Sequence, residues 1–252
     1  PAAGMLACGD IGDGKMPGED VLMDYVMAEI AYEKDMRGLK LLVTAGPTQE
    51  AIDPVRYITN HSSGKMGYSI ARIAMLRGAE VTLVTGKTAL KPPPFVKVIS
   101  VTSAEDMHYA VIKSMEGKDI IIKSAAVADY RPLSVSDQKI KKTDTNMSVQ
   151  LERTVDILKH IGEIHKKYQY VCGFSMETEN LLENSRTKLM KKNIDMIVAN
   201  NLKEEGAGFN TDTNIVTIIT KNKEIPLKLM SKDQVAQQLL DAILLERSFN
   251  VQ

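Results

Sequence analysis

The chain has 252 residues, of which 44% are hydrophobic and 25% charged, so it carries enough apolar material for one large core in the range of ordinary soluble domains. Its 32 basic and 32 acidic side chains cancel, which excludes a bulk polyanion binder such as a nucleic-acid protein and leaves any anion site to a local cluster of charge. Two cysteines cannot form a disulfide framework, four scattered histidines argue against structural zinc, and no run reaches the roughly 18–20 apolar residues of a membrane span.

The chain opens on Pro1 without a secretory signal, and a reducing cytoplasm is the expected location. Residues 1 to about 18 are Gly-rich and read as irregular. Val21, Leu22, Tyr25, Val26 and Ile30 then fall at helical spacing, in a linker helix that Gly38 ends. A main domain starts with the run LKLLVTAG at Leu39. Short apolar runs follow at 80–85, 96–101, 119–123, 169–174 and 194–199, with helical patterns at 67–77, 103–115, 154–166 and 179–192 between most of them. That alternation predicts an α/β, Rossmann-like fold: a mostly parallel sheet with helices on both faces. Runs at 214–220 and 225–229, split by 221–224, predict an antiparallel hairpin near the C-terminus. An amphipathic helix from Ser231 to Glu246 closes the chain. Residues 132–148 are rich in Lys, Thr and Asp with weak periodicity, and read as a mobile loop.

In a doubly wound sheet, ligands lie beyond the carboxyl ends of the strands, so the first strand's end at Gly46 is either a phosphate-approaching turn or a plain connection. The segment Asp53–Gly67, DPVRYITNHSSGKMG, is dense in groups that suit polar or anionic ligands. Arg56 offers a two-pronged donor and Asn60 both a donor and an acceptor. Ser62, Ser63 and Gly64 form a hydroxyl- and amide-rich turn, although either serine also suits a helix N-cap. The Gly64-Lys65 pair is not a P-loop, because residue 59 is Thr and residue 66 is Met. No G-x-G-x-x-G follows the first strand.

The run DPVRYITNHSSGKMGYSIA, together with AAVADYR at 125–131, KIKK at 139–142, GFSMET at 173–178, Lys188 and Lys192 before Asn193-Ile194-Asp195, and Ala199-Asn200, resembles the bacterial phosphopantothenate–cysteine ligase (phosphopantothenoylcysteine synthetase) family over about residues 39–246. ACGDIGDGKM at 7–16 is similar instead to the substrate clamp that ends phosphopantothenoylcysteine decarboxylases, flavoproteins commonly fused ahead of the ligase in a bifunctional protein. The resemblance implies a decarboxylase remnant and linker helix over 1–37 and a ligase domain over 38–252. It also implies that FMN belongs to a missing decarboxylase portion, and that Cys8 matches that enzyme's active-site cysteine but is inert here.

The family's reaction activates phosphopantothenate with CTP to an acyl-cytidylate, releasing pyrophosphate, and then joins it to L-cysteine, releasing CMP. By resemblance, Asn60 handles the acyl-cytidylate, Arg56 meets the pantothenate side, and Lys139 closes on the triphosphate. Gly46, Ser62, Ser63, Gly64, Lys123, Ser124, Ala125, Asp129, Phe174, Lys188 and Lys192 are implied nucleotide ligands, as is the turn Thr154, Val155, Asp156 and Ile157. There Val155 replaces the family's usual proline, and Thr154 remains available as a cap. Taken without the resemblance, a solvated face suits Lys188 and Lys192, a core position suits Phe174, and a turn cap suits Asp129. Mg²⁺ accompanies the triphosphate, with no metal motif in the chain. A homodimer is expected, with no membrane or nucleic-acid partner. The main rival is a Rossmann-type NAD(P)-dependent reductase; a second is a non-catalytic regulatory subunit, against which Asn60, Asp129 and Lys139 count.

Overall fold

The computed structural model describes residues 2–5, 7–142, 146–177, 179–201, 208 and 211–250. Its centre is an eight-stranded sheet. In chain order the strands are β1 (Lys40–Ala45), β2 (Glu80–Thr85), β3 (Lys97–Ser100), β4 (Ile120–Lys123), β5 (Tyr170–Glu177), β6 (Met196–Asn201), β7 (Val216–Thr220) and β8 (Glu224–Pro226). The helices among the described residues are α1 (Glu19–Ile30), α2 (Lys65–Leu76), α3 (Ala104–Ser114), α4 (Ile157–Ile164), α5 (Leu181–Lys191) and α6 (Lys232–Asn250).

The sheet order is β3-β2-β1-β4-β5-β6-β7-β8. The first six of these strands run parallel; β7 runs antiparallel to β6, and β8 antiparallel to β7. The parallel strands are near-continuous apolar runs because both faces are covered. In β1, Leu41, Val43 and Ala45 face a core shared with Ile70 and Ile73 of α2 and Leu239 and Ile243 of α6. Leu42 faces the opposite core, with Met107 of α3, Ile161 of α4 and Leu189 of α5. The period-two alternation of a strand therefore divides one short run between two cores. Local signals set the helix starts. Ser103 and Asp106 form a reciprocal capping box on α3, and the Asp156 carboxylate caps α4 through the Lys159 amide.

Several expectations are corrected. The first 18 residues are not irregular throughout: Ala2–Met5 pairs antiparallel with Ile11–Lys15, the chain reversing near Gly9 at φ 89°. The first helix stops at Ile30 rather than at Gly38, and none of its residues is buried, so its apolar stripe covers no core. Residues 132–148 do not form one free loop. Tyr130–Pro132 pairs with Leu151–Arg153, and the Ser136 amide donates to the Ile52 carbonyl at 3.0 Å. Residues 143–145 lie outside the described residues, as does Thr178 of the GFSMET run. The expected C-terminal hairpin is present, but β8 ends at Pro226; further on, Met230–Ser231 pairs with Thr213–Asn214 instead.

Candidate active site

The parallel strand order reverses direction between β1 and β4, and the crevice outside the carboxyl ends of such strands is where this class of sheet takes ligands. A cavity of about 500 Å³ lies there. Its floor is two backbone turns pressed together. The Ala126 amide donates to the Gly46 carbonyl at 3.0 Å, and the Thr48 amide to the Ala126 carbonyl at 3.3 Å. Gly46 and Gly64 both have positive φ, and a Cβ on either would lie within 3 Å of the Thr88 methyl. Glycine is thus required twice, for conformation and for closeness. Gly67 brings α2 onto the end of β1, where an added Cβ would stand 2.5 Å from that of Ala45.

Polar groups from separate segments line this crevice. Asn60 donates from Nδ2 to the Val127 carbonyl at 3.0 Å, joining the 60–64 turn to the turn after β4. Ser62 and Ser63 also line the cavity, and their hydroxyls accept from the amides of Gly64 and Lys65 at 3.3 and 3.4 Å. The N-cap position of α2 is Gly64, which makes no side-chain cap bond, although the Ser63 hydroxyl still accepts from the first amide of α2.

Positive charge gathers beyond β4. Lys123, Lys188 and Lys192 line the cavity; among the described lining residues the one carboxylate is Asp129. Lys192 pairs with Asp156 at 3.0 Å. Burial and the neighbouring Lys192 ammonium push the Lys123 amine down to about 8, against the pull of Asp156 and Asp129. Its Nζ donates to the Ala125 carbonyl at 3.0 Å. The clustered ammonium groups repel one another, a repulsion that a negative ligand would relieve.

Of the residues singled out in the sequence, Asn60, Ser62, Ser63, Gly64, Lys123, Ser124, Ala125, Asp129, Phe174, Lys188 and Lys192 come together around this cavity. Gly46 lies directly beneath them, 3.3 Å from a Cβ placed on Gly64. The 154–157 turn stands behind the lysines. Thr154 does not cap α4; its hydroxyl donates to the Ala128 carbonyl at 2.6 Å, and Asp156 is the cap. Val155 is exposed, and Ile157 enters the core as the first residue of α4. Arg56 and Lys139 are outside the cavity lining. Arg56 is bound to Asp53 and to the Ile140 carbonyl, and Lys139 is exposed. Cys8 is also remote: it is exposed, with its Sγ 3.7 Å from the Asp10 carboxylate.

Among the lining residues that the sequence reading did not assign to the site are Asn200 and Lys232. Asn200, at the end of β6, is 8% exposed, and its Oδ1 is the one buried side-chain polar atom without a hydrogen-bond partner among the described residues. Its place after an apolar strand in an α/β pattern is a usable signal. Lys232 begins α6 and donates to the carbonyls of Gly208 and Thr211. Nothing in its local sequence separates it from a solvated lysine.

The model of the DNA/pantothenate metabolism flavoprotein C-terminal domain matches residues 36–245. The chain belongs to that family. The match spans every crevice residue and leaves out the first ribbon and α1. The chain is 45% identical over 249 residues to the coenzyme A biosynthesis bifunctional protein CoaBC of Bacillus subtilis, covering 96% of this chain and 61% of that protein. Its identity to the Escherichia coli K12 protein of the same name is 42% over 246 residues, again with 96% of this chain and 61% of the relative covered. The chain thus spans about three-fifths of the length of these curated relatives. A crystal structure of the C-terminal domain of CoaBC is 47% identical, with a TM-score of 0.72 over 84% of this chain and 97% of that one. A Cab2 variant in complex with phosphopantothenate-cysteine has the same fold at 16% identity, with a TM-score of 0.71 over 94% and 96% of the two chains. The overall fold of this family member thus recurs in these structures.

Proposed function

We propose that the chain forms phosphopantothenoylcysteine from phosphopantothenate and L-cysteine, using CTP and passing through an acyl-cytidylate. The observation that carries this reading is the set of three lysines at the end of β4 and α5, facing the Asn60 turn across one crevice. The similarity to proteins named for coenzyme A biosynthesis supports it.

The first step needs no strong base, because a carboxylate is already ionised at neutral pH. Its oxygen attacks the α-phosphorus of CTP, and the bond from that phosphorus to the bridging oxygen of pyrophosphate breaks. The demands are to hold two anions together and to stabilise the departing charge. Lys123, Lys188 and Lys192 hold the triphosphate, and Lys139 closes over it. Arg56 meets the pantothenate side. Asn60 hydrogen-bonds the mixed anhydride without hydrolysing it. In the second step the neutral amine of cysteine attacks the acyl carbon, the acyl C–O bond breaks, and CMP leaves. Across deprotonation and attack, the cysteine ammonium loses two protons.

No group of three or more His, Cys, Asp or Glu side chains suited to a metal ion exists among the described residues. A magnesium ion accompanying the triphosphate would be held mainly by the triphosphate itself, with Asp129 the one carboxylate among the described lining residues. Such an ion supplies charge neutralisation on the pyrophosphate. Cys8 carries no step, and flavin chemistry belongs to the additional length of the bifunctional relatives. A homodimer in a cytoplasmic setting completes the reading; among the described residues no helix is long and apolar enough to cross a membrane.

The reductase reading shares the strand order but not the connection. Residues 46–64, including a Gln49–Ala51 and Tyr57–Thr59 ribbon, separate β1 from α2, where a dinucleotide fold has a short glycine turn. Pyrophosphate release dependent on phosphopantothenate and CTP tests the proposal. Tight NADPH binding with no pyrophosphate release reverses it.

A further inference from the structure

Thr48 has no exposed surface, yet its polar groups bond to the site rather than to the core. Its Oγ1 accepts from the Ala128 amide at 3.0 Å. Its carbonyl accepts from the Thr59 hydroxyl at 2.7 Å, one residue before Asn60. Its amide donates to the Ala126 carbonyl at 3.3 Å. Ala128 is held from its other side by the Thr154 hydroxyl, at 2.6 Å from its carbonyl, and the Thr154 amide donates to the Asp129 carbonyl at 3.0 Å. One residue, through its hydroxyl and its backbone, thus connects the turn after β1, the strand leading to Asn60, and the turn after β4 that ends at Asp129.

We propose that Thr48 is a positioning residue for the activation step, setting Asn60 against the 125–129 turn through its hydroxyl and its backbone. The proposal rests on the ligase reading. A valine here keeps the volume and the methyl but leaves the buried Ala128 amide without an acceptor, a loss that displaces the turn or forces in water. A serine keeps the acceptor. Of the three lysines, Lys188 and Lys192 lie on or beside α5, outside these bonds, and Lys123 touches the turn only at the Ala125 carbonyl, so the loss falls on kcat more than on KM.

The test compares the full chain with Thr48→Val, Thr48→Ser and Thr59→Val. Steady-state pyrophosphate release with CTP, phosphopantothenate and cysteine gives kcat and KM, and backbone amide exchange reports on residues 125–129. Thr48→Val is expected to lower kcat roughly ten- to a hundredfold, the size of a misplacement of about an ångström, with nucleotide KM little changed. Ala128 exchange accelerates alongside it. Thr48→Ser is expected to restore both. An unchanged kcat and protected Ala128 in Thr48→Val overturn the proposal, as does Thr48→Ser being as impaired as Thr48→Val, which assigns the effect to methyl packing. Should Thr48→Val not fold, Thr59→Val decides: a fall in kcat supports the network, and wild-type kcat overturns it. Should the unaltered chain release no pyrophosphate, the ligase reading fails by itself, and the exchange arm still decides whether Thr48 orders the turn.

Discussion

The guanidinium of Arg56 donates to the carbonyl oxygen of Ile140 at 2.6 Å. The Asp53 carboxylate accepts from the Arg56 side chain at 3.0 Å and from the Ile140 amide at 3.1 Å, so the two residues share one anchor. Burial raises the Asp53 carboxyl, but the amides of Val55, Ile140 and Arg56 and the Arg56 guanidinium outweigh it and hold the group at about 2. Lys139 directly precedes Ile140, so Arg56 governs where the 139–142 lysines stand even though neither Arg56 nor Lys139 lines the crevice.

That coupling predicts non-additive kinetics. Lys139→Gln is expected to cut acyl-cytidylate formation by at least about tenfold, in the range of a lost charge contact to a reacting phosphate. Arg56→Ala frees the Ile140 carbonyl while the Asp53 carboxylate still holds its amide, and is expected to cost at least as much. The double variant should be less impaired than the product of the two single effects. Single-turnover pyrophosphate release measures all three. Near-wild-type rates in Lys139→Gln remove its role.

Asn60→Asp replaces an amide donor, 3.0 Å from the Val127 carbonyl, with a carboxylate facing that carbonyl. The expected result is that ligation to cysteine falls by more than pyrophosphate release does, because the handling of the anhydride suffers more than its formation. Quenched-flow detection of acyl-cytidylate checks this. Equal loss of both, or wild-type turnover, removes the role assigned to Asn60.

Two lysines of the crevice titrate near neutrality. Burial and the Lys65 ammonium push Lys232 down to about 8, against Asp212, and Lys123 falls to a similar value. Both are below the usual lysine value of about 10.4, so both are cations at pH 7 and lose charge as pH rises through about 8. Pyrophosphate affinity is therefore expected to weaken between about pH 7 and pH 9.5, and Lys123→Met should remove part of the slope. The sign for stability is opposite. A lowered lysine leaves the unfolded chain binding more protons between about 8 and 10.4, so this contribution favours the fold as pH rises there. Calorimetric titration across this range measures the affinity, and a flat profile contradicts the assignment.

Gly162 lets α4 close onto the Lys192 carbonyl, where an added Cβ would lie 1.7 Å from the oxygen. The Asn193 side chain also donates to the Gly162 carbonyl at 2.9 Å. Gly162→Ala is expected to cost about 1–3 kcal/mol, as overpacking does. It also shifts Lys192 away from Asp156, weakening nucleotide affinity. Thermal unfolding and nucleotide titration read the two effects; a wild-type result in both contradicts the packing argument.

The sequence showed the fold class because β1, β4 and β6 are apolar enough to be buried on both faces, and helical periods separate most of the strands. Most of the crevice residues were legible only through the family resemblance, because taken alone Lys188 and Lys192 suit a solvated face and Asp129 a turn cap. The first ribbon was not legible: Ala2–Met5 and Ile11–Lys15 lack the β-branched residues that mark a strand, apart from Ile11. The network through Thr48 was not legible either. A threonine beside a turn looks the same whether its hydroxyl meets water or an amide eighty residues away. Asn200 and Lys232 join the site through the sheet order, which places the end of β6 and the start of α6 beside the crevice. Local pattern carries no such information for Lys232, whereas the place of Asn200 at the end of an apolar strand does.

The most direct measurement is pyrophosphate release by the purified chain with a panel of CTP, ATP, GTP and UTP, each with phosphopantothenate and with or without cysteine. The expected result is release that depends on phosphopantothenate, is fastest with CTP, and yields phosphopantothenoylcysteine and CMP only when cysteine is present. No release with any of the four nucleotides, despite a folded chain, contradicts the account.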